Sequence, residues 1–326
     1  MNVLGIETSC DETAAAVVKD GSVVLSSHVS SSLNFHKKYG GVIPEIASRK
    51  QLETITEVAE EAVRDSGLRH KDIDLVAVTA GPGLLGSLLI GIPFAKSVSL
   101  ALGVPLVGVD HLHSHIYANL LEGRSIKFPF TALVVSGGHT NLFFVKDFSK
   151  IDVLGQTQDD ACGEAFDKVA KILGLGYPGG PVLEKLARSG DSERIKFRCS
   201  GTQKPLNFSF SGIKTAVMYL ARGRRLGDTE KQDIAASFQE AVFNALAIKS
   251  LAACKLKKTK RLVVGGGVAA NNRLREKFTS ACREEGIECF FPSRSLCTDN
   301  ASMVAGLAYP LFRRGLRSGL DLTAEI

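Results

Sequence analysis

The seven cysteines of this 326-residue sequence are odd in number and scattered, with no C-x-x-C and no paired spacing. A disulfide framework is thereby excluded, and the pattern reads as reduced thiols in a cytoplasmic protein. An unbroken apolar run of membrane-spanning length is also missing. The most apolar region, Ala80 to Val109, is interrupted by Pro82, Pro93, Lys96 and Pro105 and studded with glycine, so it reads as a buried helix plus a strand. The amino terminus enters Val3-Leu4-Gly5-Ile6 without a basic n-region or cleavage site, and no signal peptide is expected. With 44% hydrophobic and 23% charged residues, disorder is excluded too, and the length allows two lobes with proper cores. The net charge of +6 is modest but clumped, at Arg222-Gly223-Arg224-Arg225 and from Lys255 to Arg261. Such runs are ordinarily solvated faces, and the sharper alternative is a polyanionic partner such as RNA.

What is present is organised around Val107-Gly108-Val109-Asp110-His111-Leu112-His113-Ser114-His115, a short apolar strand running into a helix that opens with histidines. Asp110 is the expected N-cap, Ile116 and Leu120 continue the apolar stripe, and Gly123 is the expected stop. His111 and His115 are four apart and share one helical face, which makes them a ligand pair for a borderline metal such as zinc or iron(II). Leu112, His113 and Ser114 fill the gap between them. The helix therefore lacks the glutamate that serves as base in H-E-x-x-H peptidases, and peptide hydrolysis is not indicated. Far downstream, Cys297-Thr298-Asp299-Asn300-Ala301 places Asp299 at a helix start, as an N-cap or as the carboxylate that would complete the metal site.

Two segments share a pattern of apolar, then small and polar, then apolar residues, at Val3 to Val18 and at Thr131 to Val145. Both read as hairpins whose Ser-, Thr- and Gly-rich turns let backbone amides approach a phosphate. Each is matched downstream by a strand, a glycine turn and a helix: Leu75 to Thr79 with Gly81-Pro82-Gly83, and Arg261 to Val264 with Gly265-Gly266-Gly267. The repeated order indicates an internal duplication of two α/β lobes with a nucleotide site in the cleft between them. Asn34 to Arg49, with aromatics and bases, reads either as a nucleic-acid-stacking loop or as a lead-in to a helix around Gln51 to Ser66. The second lobe carries an extra, mostly helical insertion at about 158–256. It opens with a helix bearing Asp167, which either pairs at i,i+4 on a solvated face or, beside the glycine-rich Gly174 to Gly180 loop, holds ribose hydroxyls. Asn207 to Lys214 reads as a strand or loop entering a helix, and Gln232 to Ala253 as a long amphipathic core helix.

Taken together, Glu7-Thr8-Ser9-Cys10-Asp11-Glu12-Thr13, Tyr39 to Glu45, His111 to His115, Ser136-Gly137-Gly138-His139-Thr140, Gly163 to Lys168 and Thr298 to Ala301 resemble the tRNA threonylcarbamoyladenosine transferase family, in its bacterial form. The resemblance implies a duplicated, actin-like (ASKHA, RNase H-like) α/β fold of two lobes, with nucleotide and metal in the interlobe cleft. The lobes are expected at 1–110 with 300–326 and at 111–299. It implies one divalent metal, iron or zinc, on His111, His115 and Asp299. It further implies that Val134, Val135, Ser136, Gly137 and Gly138 meet the phosphates, that Asp167, Gly180 and Glu184 hold the ribose and adenine side, and that Asn271 completes the pocket. The substrate would be threonylcarbamoyl-adenylate or another adenine nucleotide, with tRNA as acceptor. The partners would be a shorter paralogous subunit (TsaB-like) and a small P-loop ATPase (TsaE-like), with no membrane involved. Asp11 and Glu12 are the candidates for taking the proton of the attacking amine, followed by His139. The rival readings are an actin-like small-molecule kinase or ATPase, which has no need of a di-imidazole site, and a nucleotide-binding scaffold that engages a partner helix through Leu84 to Leu100.

Overall fold

The computed structural model describes residues 1–325. The chain divides into two compact units, Met1–Ile126 with Pro292–Ile326, and Lys127–Phe291.

In the first unit, β1 (Asn2–Glu7) turns back antiparallel into β2 (Glu12–Lys19), and β2 into β3 (Val23–Ser31). The short α1 (Leu33–His36) and a single 3-10 turn lead into α2 (Pro44–Asp65). Pro44 takes the first helical position, where its missing N–H leaves no bond unmade, so this helix starts well ahead of the expected Gln51. Next come β4 (Leu75–Gly81), α3 (Leu85–Leu102), β5 (Leu106–Asp110) and α4 (His111–Tyr117), with β4 and β5 added parallel to β1. All seven residues of β4 and five of six in β1 are buried, as strands covered on both faces must be.

Two segments depart from the reading of the sequence. α3 buries Leu88, Ile92 and Ala95 against the sheet but leaves Leu85, Leu89 and Leu100 at 47%, 52% and 69% exposure, so it is an apolar helix with one uncovered side. α4 stops at Tyr117 and tightens into a 3-10 turn through Leu120, ahead of Gly123.

The second unit repeats the plan. β6 (Phe130–Val135), β7 (Thr140–Asp147) and β8 (Lys150–Gln156) form an antiparallel meander. The helices α5 (Cys162–Ile172), α6 (Gly179–Ala187), α7 (Ser211–Ala221) and α8 (Asp228–Lys257) make up the expected insertion. β9 (Arg261–Gly265) then pairs parallel to β6, and after α9 (Asn272–Glu284) the short β10 (Glu288–Phe290) pairs parallel to β9. The strand orders are β3-β2-β1-β4-β5 and β10-β9-β6-β7-β8, the same arrangement written from opposite ends. The duplication read from the sequence is thus present in the sheets.

The chain returns to the first unit as α10 (Ala301–Arg313), which packs on β1, β2, β5 and α4. That packing moves the division of the chain away from the expected 110/111 and 299/300 boundaries. His111, His115 and Asp299 belong to the first unit, because α4 is held by α10 and Asp299 precedes α10 directly.

The core of the second unit is aromatic: Phe166 on α5 stands 5.1 Å from Phe238 and 5.5 Å from Phe243, both on α8. Phe166→Ala is expected to destabilise this unit by about 3–5 kcal/mol, read as a lowered midpoint in denaturant unfolding.

Candidate functional site

In the first unit the site begins where β5 ends. Asp110 caps α4, its carboxylate accepting from the backbone N–H of His113 at 2.7 Å. The cap fixes the first turn, so His111 and His115 project from one face with ring centroids 4.7 Å apart and planes at 78°. Across from them lies Asp299. Its Oδ1 is 3.1 Å from His115 Nε2 and 3.7 Å from His111 Nε2. Asp299 is not the cap of the following helix; Asn300 is, accepting from the N–H of Met303 at 3.0 Å. Capping by its neighbour leaves the Asp299 carboxylate to the histidines. His113, the third histidine of the motif, points elsewhere, with Nδ1 3.7 Å from Asp110.

The ligand atoms of His111, His115 and Asp299 lie within 4.8 Å of one another. Ligands bound at about 2.0–2.2 Å around one first-row ion sit about 3–3.5 Å apart, and the distances of 3.1 and 3.7 Å from Asp299 to the two rings are close to that spacing. Two imidazoles and one carboxylate are a donor set suited to iron or zinc, with positions left open, and the residues present fit a metal.

Behind His111 stands a residue that reading the sequence did not single out for this role. Glu7 ends β1 fully buried, its Oε2 3.2 Å from His111 Nδ1 and accepting from Thr79 Oγ1 at 2.6 Å, its Oε1 accepting from the Ser9 N–H at 2.5 Å. Ser9 Oγ also lies 3.1 Å from His111 Nδ1. A carboxylate on the far nitrogen fixes ring orientation and turns Nε2 toward the ligand position. The signal in the sequence was a charged residue closing an otherwise apolar strand.

Electrostatics follow from burial. Burial pushes the Glu7 carboxyl up, but the charge and hydrogen bond of His111 outweigh it and hold the group below its ordinary value. For His111, burial works downward while Glu7 and Asp299 raise it to about 9. Asp11 is raised, mainly by burial. Glu12 is raised to about 7, by burial first and by the nearby charges of Asp11 and Asp299, against a hydrogen bond from Ser31. The other carboxylate oxygen of Glu12, Oε2, is buried with no hydrogen-bond partner. The turn holding both residues is pinned by the Gln51 amide, which reaches the carbonyls of Thr8, Cys10 and Glu12 at 2.9–3.3 Å.

The expected nucleotide residues fall in the second unit. Val134 and Val135 close β6, fully buried, and Ser136-Gly137-Gly138 form the turn. The Ser136 carbonyl accepts from the Gly163 N–H at 3.0 Å, so the turn abuts the start of α5, while a Cβ on Gly137 or Gly138 would meet open space. Gly137 and Gly138 are exposed at the tip of the turn. The His139 N–H donates to Ser136 Oγ at 3.1 Å. Asp167 turns toward α6 and accepts from the Gly179 N–H at 2.6 Å, next to Gly180. Lys168 makes ion pairs with Asp160, ahead of the helix, and with Glu164 one turn back. Glu184 accepts from the N–H and side-chain amide of Asn272 at 3.1 and 2.8 Å. Asn271 caps α9 and donates to Gln239 at 3.0 Å. A cavity of about 500 Å³ opens beside Glu184, lined also by Gln239, Glu240 and Asn272. Of the three residues considered as proton acceptors, Asp11 and Glu12 share the first unit with the histidine pair and His139 lies in the second.

A family model described as tRNA N6-adenosine threonylcarbamoyltransferase (TsaD) matches residues 23–306. The chain belongs to this family. A relative named tRNA N6-adenosine threonylcarbamoyltransferase from Clostridium kluyveri is 50% identical over 328 residues, covering 99% of this chain and 96% of the relative. One of the same name from Symbiobacterium thermophilum is 51% identical over 323 residues, covering 99% and 95%. Among solved structures, HypF of T. kodakarensis superposes with a TM-score of 0.63 at 16% identity, over 96% of this chain and 48% of that one, a likeness of fold alone. The family is one of transferases acting on tRNA, and the fold is the two-lobed actin-like kind.

Glu7→Gln is expected to weaken metal binding about 10- to 100-fold, while His111→Ala removes it. Metal content after dialysis against a graded chelator series checks both.

Proposed function

We propose that this protein transfers the threonylcarbamoyl group from threonylcarbamoyl-adenylate to the exocyclic amine of the adenosine beside the anticodon, in tRNAs reading codons that begin with A. The observation that carries the reading is the convergence of His111, His115 and Asp299, drawn from distant parts of a chain that belongs to the transferase family. In the reaction the amine nitrogen bonds to the carbamoyl carbonyl carbon, the bond from that carbon to the AMP phosphate oxygen breaks, and the amine proton passes to a base.

His111, His115 and Asp299 would hold one divalent metal, iron or zinc, which when bound supplies Lewis-acid polarisation. Glu7 and Ser9 orient His111, and the Asp110 cap orients the turn that carries both rings. The Ser136 to Gly138 turn, with Val134 and Val135 behind it, is assigned to the phosphates. Asp167, Gly180, Glu184 and Asn271 are assigned to the ribose and adenine. Neutral backbone donors suit a leaving group that departs as an anion. An aromatic amine is a weak nucleophile, so positioning must supply much of the acceleration. Glu12 is the preferred proton acceptor, since its carboxyl is raised to about 7 and one of its oxygens has no partner; Asp11 is the second choice and His139 the third.

A shorter paralogous subunit and a small P-loop ATPase belong to the same reading. The uncovered apolar side of α3 supports a protein partner for the first. The compartment is the cytoplasm, where the tRNA pool resides.

Nucleoside mass analysis of tRNA incubated with the protein, its partners, threonine, bicarbonate and ATP tests the function. Modified adenosine is expected with the wild type and its loss with His115→Ala; full turnover by a metal-free His115→Ala protein would remove the mechanism. A raised carboxyl acts as base only once ionised, so the wild-type transfer rate should climb as pH rises through about 7. Glu12→Gln should lose that limb of the profile while keeping its metal.

A further inference from the structure

Positive charge is divided unevenly between the units. Residues 127–291 hold 26 Lys and Arg against 17 Asp and Glu, a net of +9, while the rest holds 14 against 17, a net of −3, which together give the chain's +6. Within the basic unit the imbalance is concentrated. From Arg194 to Arg225 there are 8 bases and not one Asp or Glu.

The first part of this stretch is a strap without regular secondary structure, laid along α8. The Asp191 N–H donates to Asp233 Oδ1 at 2.8 Å, the Ile195 N–H to Ser237 Oγ at 3.2 Å, and the Cys199 thiol to the Ala241 carbonyl at 3.8 Å. Farther along, Lys249 Nζ donates to Thr202 Oγ1 at 3.2 Å. Burial alternates along the strap: Ile195, Phe197 and Cys199 are half-buried, while Arg194, Lys196 and Arg198 are exposed. The strap's end meets α7, since Ser200 sits against Gly212 in the first helical turn. Along α7, Met218 and Tyr219 are exposed at 44% and 63%, and the helix runs out into Arg222-Gly223-Arg224-Arg225.

Three of the eight bases have acidic partners: Lys196 with Glu193, Lys214 with Asp160 and Arg224 with Glu230. Arg194, Arg198, Lys204, Arg222 and Arg225 make no ion pair with any described residue, and all five are exposed. A self-repelling cluster of cations with no partners opposes the compact state, and a surface built only for solubility intersperses both signs. Such a cluster fits a polyanion with many regularly placed charges.

We propose that this strap and the outer face of α7 form the tRNA-docking surface of the protein, the bases holding backbone phosphates and the Tyr219 ring stacking on an unpaired base. The proposal rests on the tRNA-modifying function above. Phosphate contacts supply affinity and register without reading sequence, and aromatic stacking is the usual recognition of splayed RNA bases.

The test uses the full chain with its partners and unmodified tRNA. Replacing Arg194, Arg198, Lys204 and Arg225 together by Gln should weaken tRNA binding about tenfold or more and make the plot of log K against log salt shallower by about 3. Melting temperature and adenine-nucleotide affinity should not move. Tyr219→Ala should lose affinity with the salt slope intact. Replacing Lys255, Lys257, Lys258 and Lys260 by Gln, in the other basic run, should leave binding near wild type. Wild-type affinity and slope in the strap variant would overturn the proposal, as would loss of binding only in the Lys255 to Lys260 variant. So would strap-dependent binding to phosphatidylserine vesicles with tRNA affinity unchanged. Failure of the wild-type complex to bind tRNA would fall on the proposed function itself and take the docking surface with it.

Discussion

A buried carboxylate facing a buried imidazole fixes the first unit's chemistry. Glu7, at the end of β1, would cost several kcal/mol to hold uncompensated inside the protein. It is compensated by a backbone N–H, a hydroxyl and the His111 ring, drawn from the following turn, β4 and α4. β1, β4 and α4, remote from one another in sequence, must therefore be in register before the charge can be buried. Once they are, the imidazole has one orientation, and the neighbouring His115 and Asp299 can meet it.

Both units place their candidate site residues at the carboxyl ends of strands. Glu7 closes β1, Thr79 lies near the end of β4, Asp110 closes β5, Val135 closes β6 and Gly265 closes β9. Open α/β sheets bind ligands outside those ends because helix N-termini and glycine turns supply unpaired backbone donors there. One sheet design carries different groups at those ends, imidazole and carboxylate in the acidic unit and glycine turns in the basic one. The helical insertion, which only the second unit carries, brings with it the strap, free of acids from Arg194 onward, and the basic end of α7.

Local patterns made much of this legible in advance. The hairpins, the strand-glycine-helix repeats, the Asp110 cap and the four-residue spacing of His111 and His115 rest on short-range periodicity, and the structure keeps them. The unit boundaries were less legible, because the contact of α10 with α4 that decides them joins residues far apart in sequence. Asp299 and Asn300 are both competent caps by composition. Only the backbone at the start of α10 gives the cap to Asn300. Glu7 was visible as part of a motif, but its role as the partner of His111 depends on a contact across two strands.

The sequence by itself determined which side chains are available: two imidazoles on one helical turn, polar turns closing apolar strands, and bases collected without acids between Arg194 and Arg225. Tertiary structure alone decided which of these meet. The reason is that imidazole, carboxylate and guanidinium act over a few ångströms, and distances of that order between residues separated by 104 or 184 positions, as for Glu7 with His111 and His115 with Asp299, are set by how strands and helices pack.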